Sequence, residues 1–274
     1  PAPASQAARA IADATGHADV QPRVLDLASL ASVRAFAARA SHDPPIQALV
    51  CNAGMRDRDP ASVTADGFDA TFQVNHLAHF LLTSLLVPSL APTARVVVVP
   101  SGTHDPTHLD GRLTRPRYAP AALLARAESA PRRSIVRYST SKLCNVLFAC
   151  ELHRRRAALG LPELWVAAYD PGHVPTTQLN RAHPAFRALL RATFALKPLG
   201  VRVYTVRSAA RAMARLVLED RATLGPSGRY FRHRDEVPSS PESRDEAKAR
   251  ELWEDSRELV GLETERRRPR SPVG

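Results

Sequence analysis

Short apolar runs alternate with long amphipathic stretches along this chain. PRVLDL (22–27) predicts a strand ended by a polar turn, and SLASVRAFAARAS predicts a helix with an alanine-rich face. IQALVCNAG (46–54) is a β-rich apolar run that stops at Asn52-Ala53-Gly54. DGFDATFQVNHLAHFLLTSLLVPSL predicts a long helix with a wide apolar face. ARVVVVPSG (94–102) sets four valines in a row, the pattern of a strand buried on both faces. SIVRYSTSKLCNVLFACELHRRRAALG predicts a second long helix, with Gly160 as its C-terminal stop. ELWVAAYDPG (163–172) predicts a strand closed by Pro-Gly. SAARAMARLVLED predicts a helix, SGRYFR a last strand, and ESRDEAKARELWEDSRELVGL a final amphipathic helix.

Strand–helix alternation at this spacing predicts an α/β fold with a parallel sheet and right-handed crossovers. Ligands in such sheets bind beyond the carboxyl ends of the strands. Asp26, Asn52-Ala53-Gly54, Ser101 and Asp170-Pro171-Gly172 all fall at such ends. The connection 103–134 is rich in Pro, Arg and Ala, and a connection of that length reads as a lid or insertion near the site.

Composition narrows the field. The 274 residues fit one large α/β domain or two small ones, and 44% apolar residues are enough for a sizeable core. No run approaches the roughly 18 apolar residues of a membrane span. Cys51, Cys144 and Cys150 have neither metal spacing nor the pattern of a disulfide framework, so cytoplasmic free thiols are expected. His104, His108 and His173 have no metal spacing either, and no metal is expected. The net charge of +11 comes from arginines spread along the chain; only the tail ETERRRPRSPVG is dense, and it is expected to be disordered. That spread argues for a solvated basic surface, not a specific nucleic-acid site, and it suits a phosphate-bearing ligand. The chain opens PAPASQ without a methionine, which suggests a missing start.

The sharpest chemical signal is RYSTSKLCN. Only three of the 38 basic residues are lysines, and Lys142 lies four residues after Tyr138, one of five tyrosines. Four residues along a helix place both side chains on one face. A free tyrosine has a pKa near 10, and a neighbouring cation lowers it toward usefulness as an acid/base for an alcohol or carbonyl oxygen. A chance pair at this spacing is expected in roughly 5 of 100 such chains, so a decorated helix face is the bland alternative. Ser101 after a buried strand and Asn75 in mid-helix, where asparagine is a poor helix former, favour chemistry.

Asp26-Leu27, Asn52-Ala53-Gly54, Asn75, Ser101, Tyr138-x-x-x-Lys142 and Pro171-Gly172-x-Val174-x-Thr176 stand in the order of the short-chain dehydrogenase/reductase family, which this chain resembles over roughly residues 5–262. CNAG, VNHLAHFLL, YSTSKLCNVL and ARELWEDSRELVGL are similar to the branch of retinol-dehydrogenase-like enzymes and light-dependent protochlorophyllide reductases. The resemblance implies a Rossmann-like doubly wound parallel sheet. It also implies an NAD(P)-dependent oxidoreductase that interconverts an alcohol and a carbonyl, or reduces a double bond. NADP is the expected cofactor, with NAD as the alternative. Tyr138 would be the acid/base, Lys142 would lower its pKa and hold the nicotinamide ribose, and Ser101 would orient the substrate oxygen. Asn75 would hold a water beside Lys142. Asp26 and Leu27 would lie at the adenine, Asn52, Ala53 and Gly54 along the adenine ribose, and Pro171, Gly172, Val174 and Thr176 at the nicotinamide amide and phosphates. An apolar, fairly bulky small-molecule substrate and a homo-oligomer are implied as well. Each residue also has a plainer reading: Asn52 and Ser101 as turn residues, Asp26 as a helix N-cap, Thr176 as a cap.

The chain departs from the pattern in several places. It has no TGxxxGxG phosphate turn, and by the family's order it starts in the helix after the second strand. The expectation is thus one incomplete domain over 1–262, lacking its first two strands and Gly-rich loop, with an insertion at 103–134 and a basic tail at 263–274. Pro100 stands where related sequences often carry serine, and His173 stands where the protochlorophyllide reductases usually have cysteine. A competing reading is a non-catalytic relic or regulatory binding module that kept the site residues without the phosphate loop.

Overall fold

The computed structural model describes residues 2–17, 19–174 and 203–262. Helix α1 (Ala2–Thr15) leads through an extended segment to α2 (Leu30–Ala40). The Ser29 hydroxyl caps α2 by accepting from the Ser32 N–H, which satisfies one of the free donors at a helix start. Strand β1 (Ile46–Cys51) follows. Helix α3 opens at Ala70–Phe72, widens into a π turn over Gln73–Leu77 and continues as Ala78–Leu86. Then come β2 (Leu90–Val98), the short helices α4 (Leu109–Thr114) and α5 (Ala121–Leu124), the long α6 (Ser134–Arg155) and β3 (Trp165–Asp170). The chain closes with α7 (Val206–Leu218), α8 (Arg221–Leu224), β4 (Arg229–Arg232), β5 (Asp235–Glu236) and α9 (Glu246–Leu259).

The five strands lie in sequence order, β1-β2-β3-β4 parallel and β5 antiparallel at the end. Side chains alternate across a strand, and the valine run uses both faces. Val96 and Val98 join Val166, Ala168 and Tyr230 in one core with α3, α6 and α9, while Val97 and Val99 join Ala167, Tyr169 and Phe231 in a second core with Ala212 and Leu216 of α7. Helices thus cover both faces of a mostly parallel sheet, the Rossmann-like arrangement. Phe80, Phe148 and Trp253 meet edge-on or stacked at centroid distances of 5.0–5.9 Å and tie α3, α6 and α9 together.

Two expectations need correction. PRVLDL (22–27) forms no strand: it runs without regular structure into a turn at 27–28, and Val24 is exposed. A strand exists through its ladder, and among the described residues nothing pairs with 22–27. The outer edge of β1 is likewise unpartnered among the described residues, and Ile46, Leu49 and Val50 stay partly exposed. The second long helix ends at Arg155, not at Gly160. Gly160 instead closes the following turn, with φ +77°.

The connection 103–134 is folded. Ala121 and Leu124 are buried, the Ala121 N–H donates to Asp255 at 2.9 Å, and the Tyr118 hydroxyl donates to Glu251 at 2.9 Å. It therefore packs on α9. The tail 263–274 lies outside the described residues.

Candidate active site

Tyr138 and Lys142 share one face of α6, and both are buried. The Lys142 ammonium donates to the Val99 carbonyl at 2.9 Å, beyond the end of β2, and lies 5.7 Å from the centroid of the Tyr138 ring. Ser101 follows β2. Its hydroxyl accepts from the Thr103 N–H at 3.4 Å and lies close enough to the Tyr138 phenol to favour its ionised form. Behind it, His104 Nδ1 donates to the Ser101 carbonyl at 2.7 Å.

Asn75 sits inside the π turn of α3, which explains how a poor helix former is tolerated there. Its Oδ1 accepts from the Met55 N–H at 2.7 Å, and its Nδ2 donates to the Met55 carbonyl at 2.8 Å and to Ser141 Oγ at 2.9 Å. Gly54 lies against both Asn75 and Lys142: a Cβ there would be 3.2 Å from Asn75 Oδ1 and 3.1 Å from Lys142 Nζ. Tyr138, Ser101, Lys142 and Asn75 therefore converge at the carboxyl ends of β1 and β2.

Burial pushes the Tyr138 phenol up to about 12; Asp170 adds to the rise, while Ser101 and Arg56 oppose it. The phenol is protonated at neutral pH in this arrangement, a proton donor. This differs from the sequence expectation of a lysine-lowered tyrosine: the ammonium lies by the ring, and desolvation is the largest influence. Burial also brings Lys142 down to about 8, with Asp170 favouring its charged form.

The other predicted residues are spread more widely. Asn52, Ala53 and Gly54 are exposed at the end of β1, and the Ala53 carbonyl accepts from His79 Nε2 at 2.9 Å. Pro171 and Gly172 follow β3; the Gly172 N–H donates to Asp170 at 2.9 Å, and Val174 is buried. Asp26 sits on the irregular segment before α2, where its carboxylate accepts from the Ala28 N–H at 2.9 Å; Ser29, not Asp26, caps the helix. Leu27 is buried. Thr176 lies outside the described residues. Among the described residues no group of acidic, Cys and His side chains could hold a metal, and no helix is long and apolar enough to cross a membrane.

Sequence reasoning missed Arg137, beside Tyr138. It is buried, pairs with Asp69 at 3.5 Å, and donates to the carbonyls of Asp57 and Asp59 at 3.2 and 2.8 Å. It fixes the loop that carries Met55. In a chain this rich in arginine nothing marked it out.

Comparison with known proteins agrees with this geometry. Residues 1–107 match the short chain dehydrogenase family. The chain is 37% identical over 266 residues to human retinol dehydrogenase 13, covering 94% of this chain and 73% of that protein. It is 37% identical over 269 residues to the WW domain-containing oxidoreductase of Danio rerio, covering 94% of this chain and 60% of that protein. The chain thus spans about three-fifths of the length of that oxidoreductase. A 3-ketoacyl-(acyl-carrier-protein) reductase from Brucella melitensis, solved with NADH, shares the fold at a TM-score of 0.57 and 21% identity, covering 84% of this chain and 82% of that one. With the helix-borne Tyr138–Lys142 pair, the strand-end serine and relatives of the retinol-dehydrogenase type, the chain belongs to the short-chain dehydrogenase family of oxidoreductases.

Proposed function

We propose that this chain carries the catalytic groups of an NAD(P)-dependent oxidoreductase that interconverts an alcohol and a carbonyl on an apolar, fairly bulky small molecule. The observation that carries this reading is the buried Tyr138 phenol, beside Ser101 and one helical turn from Lys142. A bound nicotinamide supplies or accepts the hydride. In reduction, Tyr138 Oη gives its proton to the carbonyl oxygen that Ser101 Oγ orients. The Lys142 ammonium then stabilises the resulting phenolate, and Asn75 holds the Met55 loop over the site.

The residues fit the nicotinamide-ribose half of such a cofactor. Lys142 uses one of its three N–H groups on Val99, and the missing side chain of Gly54 leaves room beside it. Asn52, Ala53, Pro171, Gly172, Val174 and Thr176 would line the rest of the nucleotide, with Asp26 and Leu27 at the adenine end. The basic charge supports NADP over NAD. The three free cysteines suit a cytoplasmic setting, and the pairing of long helices in the family suits a homo-oligomer.

NADPH titration followed by intrinsic fluorescence tests the reading, on this chain and on a form carrying any residues that precede it naturally. Binding followed by turnover is expected, and Tyr138→Phe should cut turnover by about 10²–10⁴ while nucleotide still binds. The edge of β1, unpartnered among the described residues, favours a second reading, a binding module without catalysis. Failure of every form to bind nucleotide would select it.

A further inference from the structure

Asp170 is the last residue of β3 and is buried. Strand alternation puts its side chain on the face of Ala168 and Val166, the face covered by α6. The β2–β3 register aligns Val98 with Ala168, so the Val99 carbonyl that holds Lys142 lies one strand from the end of β3. On the other side Asp170 pairs in register with Arg232, while Ala168 pairs with Tyr230.

Both of its oxygens are engaged. Oδ1 accepts from the Gly172 N–H at 2.9 Å. Oδ2 accepts from the Tyr230 hydroxyl at 3.1 Å and from Arg232 Nε at 3.2 Å. The Tyr230 ring packs 5.4 Å from the ring of His104, which is buried and donates to the Ser101 carbonyl. A continuous buried path thus runs from Asp170 through Tyr230 and His104 to the turn that holds Ser101 against Tyr138. None of the proposed catalytic roles uses it.

We propose that Asp170 is a positioning residue of this site: it is the buried counter-charge that keeps Lys142 an ammonium, and through Tyr230 and His104 it braces the Ser101 turn. The charge inventory around it supports this. Facing the cluster are Tyr138 and Lys142 from α6, His79 from α3, His104 and Asp105 from the turn after β2, Tyr230 and Arg232 from β4, and Arg56 from the loop after β1, with Tyr169 its neighbour on β3. His79 and His104 are held below their ordinary range by burial, so neither carries charge near neutrality. Asp170 favours the charged form of Lys142 and the neutral form of Tyr138. Arg232 neutralises part of the Asp170 charge, and its Nη2 is buried without a hydrogen-bond partner. The purpose of the ammonium rests on the oxidoreductase reading; its charge does not.

The chain has three lysines, so selective ε-¹³C-lysine labelling gives an interpretable NMR titration, and Lys142→Arg identifies the Lys142 signal. Asp170→Asn nearly preserves shape; its oxygen can still accept from Gly172, and its amide nitrogen can donate to the Tyr230 hydroxyl oxygen. It should lower the Lys142 midpoint by about one pH unit or more. Arg232→Gln should shift it in the opposite direction, because Asp170 is then less neutralised. An unmoved midpoint in Asp170→Asn, or a fall in both variants, overturns the proposal, since packing damage alone produces no opposed signs. If Asp170→Asn does not fold, Arg232→Gln decides: a raised midpoint supports the proposal, and an unmoved or lowered one refutes it. The oxidoreductase reading fails separately, if Tyr138→Phe turns over alcohols as well as the parent does.

Discussion

Asn75 and Met55 are joined twice, amide oxygen to N–H at 2.7 Å and amide nitrogen to carbonyl at 2.8 Å. The side chain imitates a neighbouring strand and gives the loop after β1 a pairing it lacks. A third bond, to Ser141, ties that loop to α6. Asn75→Asp keeps the size and removes both N–H donors, leaving the Met55 carbonyl without its partner. The expected cost is about 2–3 kcal/mol of unfolding free energy, measured by urea denaturation.

Arg137 does comparable work one residue from Tyr138. Both it and Asp69 are almost fully buried, and the guanidinium also satisfies two loop carbonyls. Removing one member of a buried ion pair leaves an uncompensated charge. Arg137→Met should therefore destabilise by roughly 3–5 kcal/mol. Arg58→Met, on an exposed side chain of the same loop, should change stability by less than about 0.5 kcal/mol. Parallel thermal melts of the two variants make the comparison.

The strand ends, the helix-borne Tyr138–Lys142 pair and Ser101 were legible because each lies in a local pattern: apolar runs of strand length, a spacing of four, a polar residue after a valine run. PRVLDL misled because its apolar pattern is also local, while a strand needs a partner that sequence periodicity does not supply. The Asn75–Ser141 bond, the Arg137 clamp and the Asp170–Tyr230 step of the path to His104 were hidden for a related reason. They join residues 60 or more positions apart, such as Tyr230 with Asp170 or Asn75 with Ser141. Burial is the largest influence on the Tyr138 phenol, and it depends on packing, which no spacing of residues reveals.

Acid should weaken the fold through two buried histidines. Burial lowers His76 to about 3 and His79 to about 4, below the ordinary 6.5. Between those values and 6.5 the unfolded chain binds more protons, so stability falls as pH falls. At pH 5 each ring remains neutral when folded and is protonated when unfolded, a loss of about 2 kcal/mol per ring relative to pH 7. His76→Gln retains an amide to meet Ser256 Oγ, which His76 Nε2 contacts at 3.0 Å. Urea unfolding at pH 7 and pH 5 should show a smaller pH difference in that variant than in the parent.

Two glycines should respond in opposite ways to the same change. Gly172 has φ +73°, and a Cβ there would meet the Tyr204 ring at 2.6 Å. That ring is stacked on His233 at a centroid distance of 3.8 Å and has little room to retreat. Gly172→Ala therefore combines backbone strain with overpacking, and roughly 2–4 kcal/mol of stability should be lost. At Gly54 the new methyl would meet the end of the Lys142 side chain at 3.1 Å, and four rotatable bonds let that end withdraw. The Asn75 oxygen, 3.2 Å from that methyl, is held by Met55 and can give only a few tenths of an ångström, so the stability cost at Gly54 should be about 1 kcal/mol, below that at Gly172. The withdrawal moves the ammonium from its seat beside Tyr138, so a Gly54→Ala protein should melt nearly as the parent does and turn over far more slowly. Equal losses of stability in the two variants would show that Gly54 serves the backbone, not the lysine.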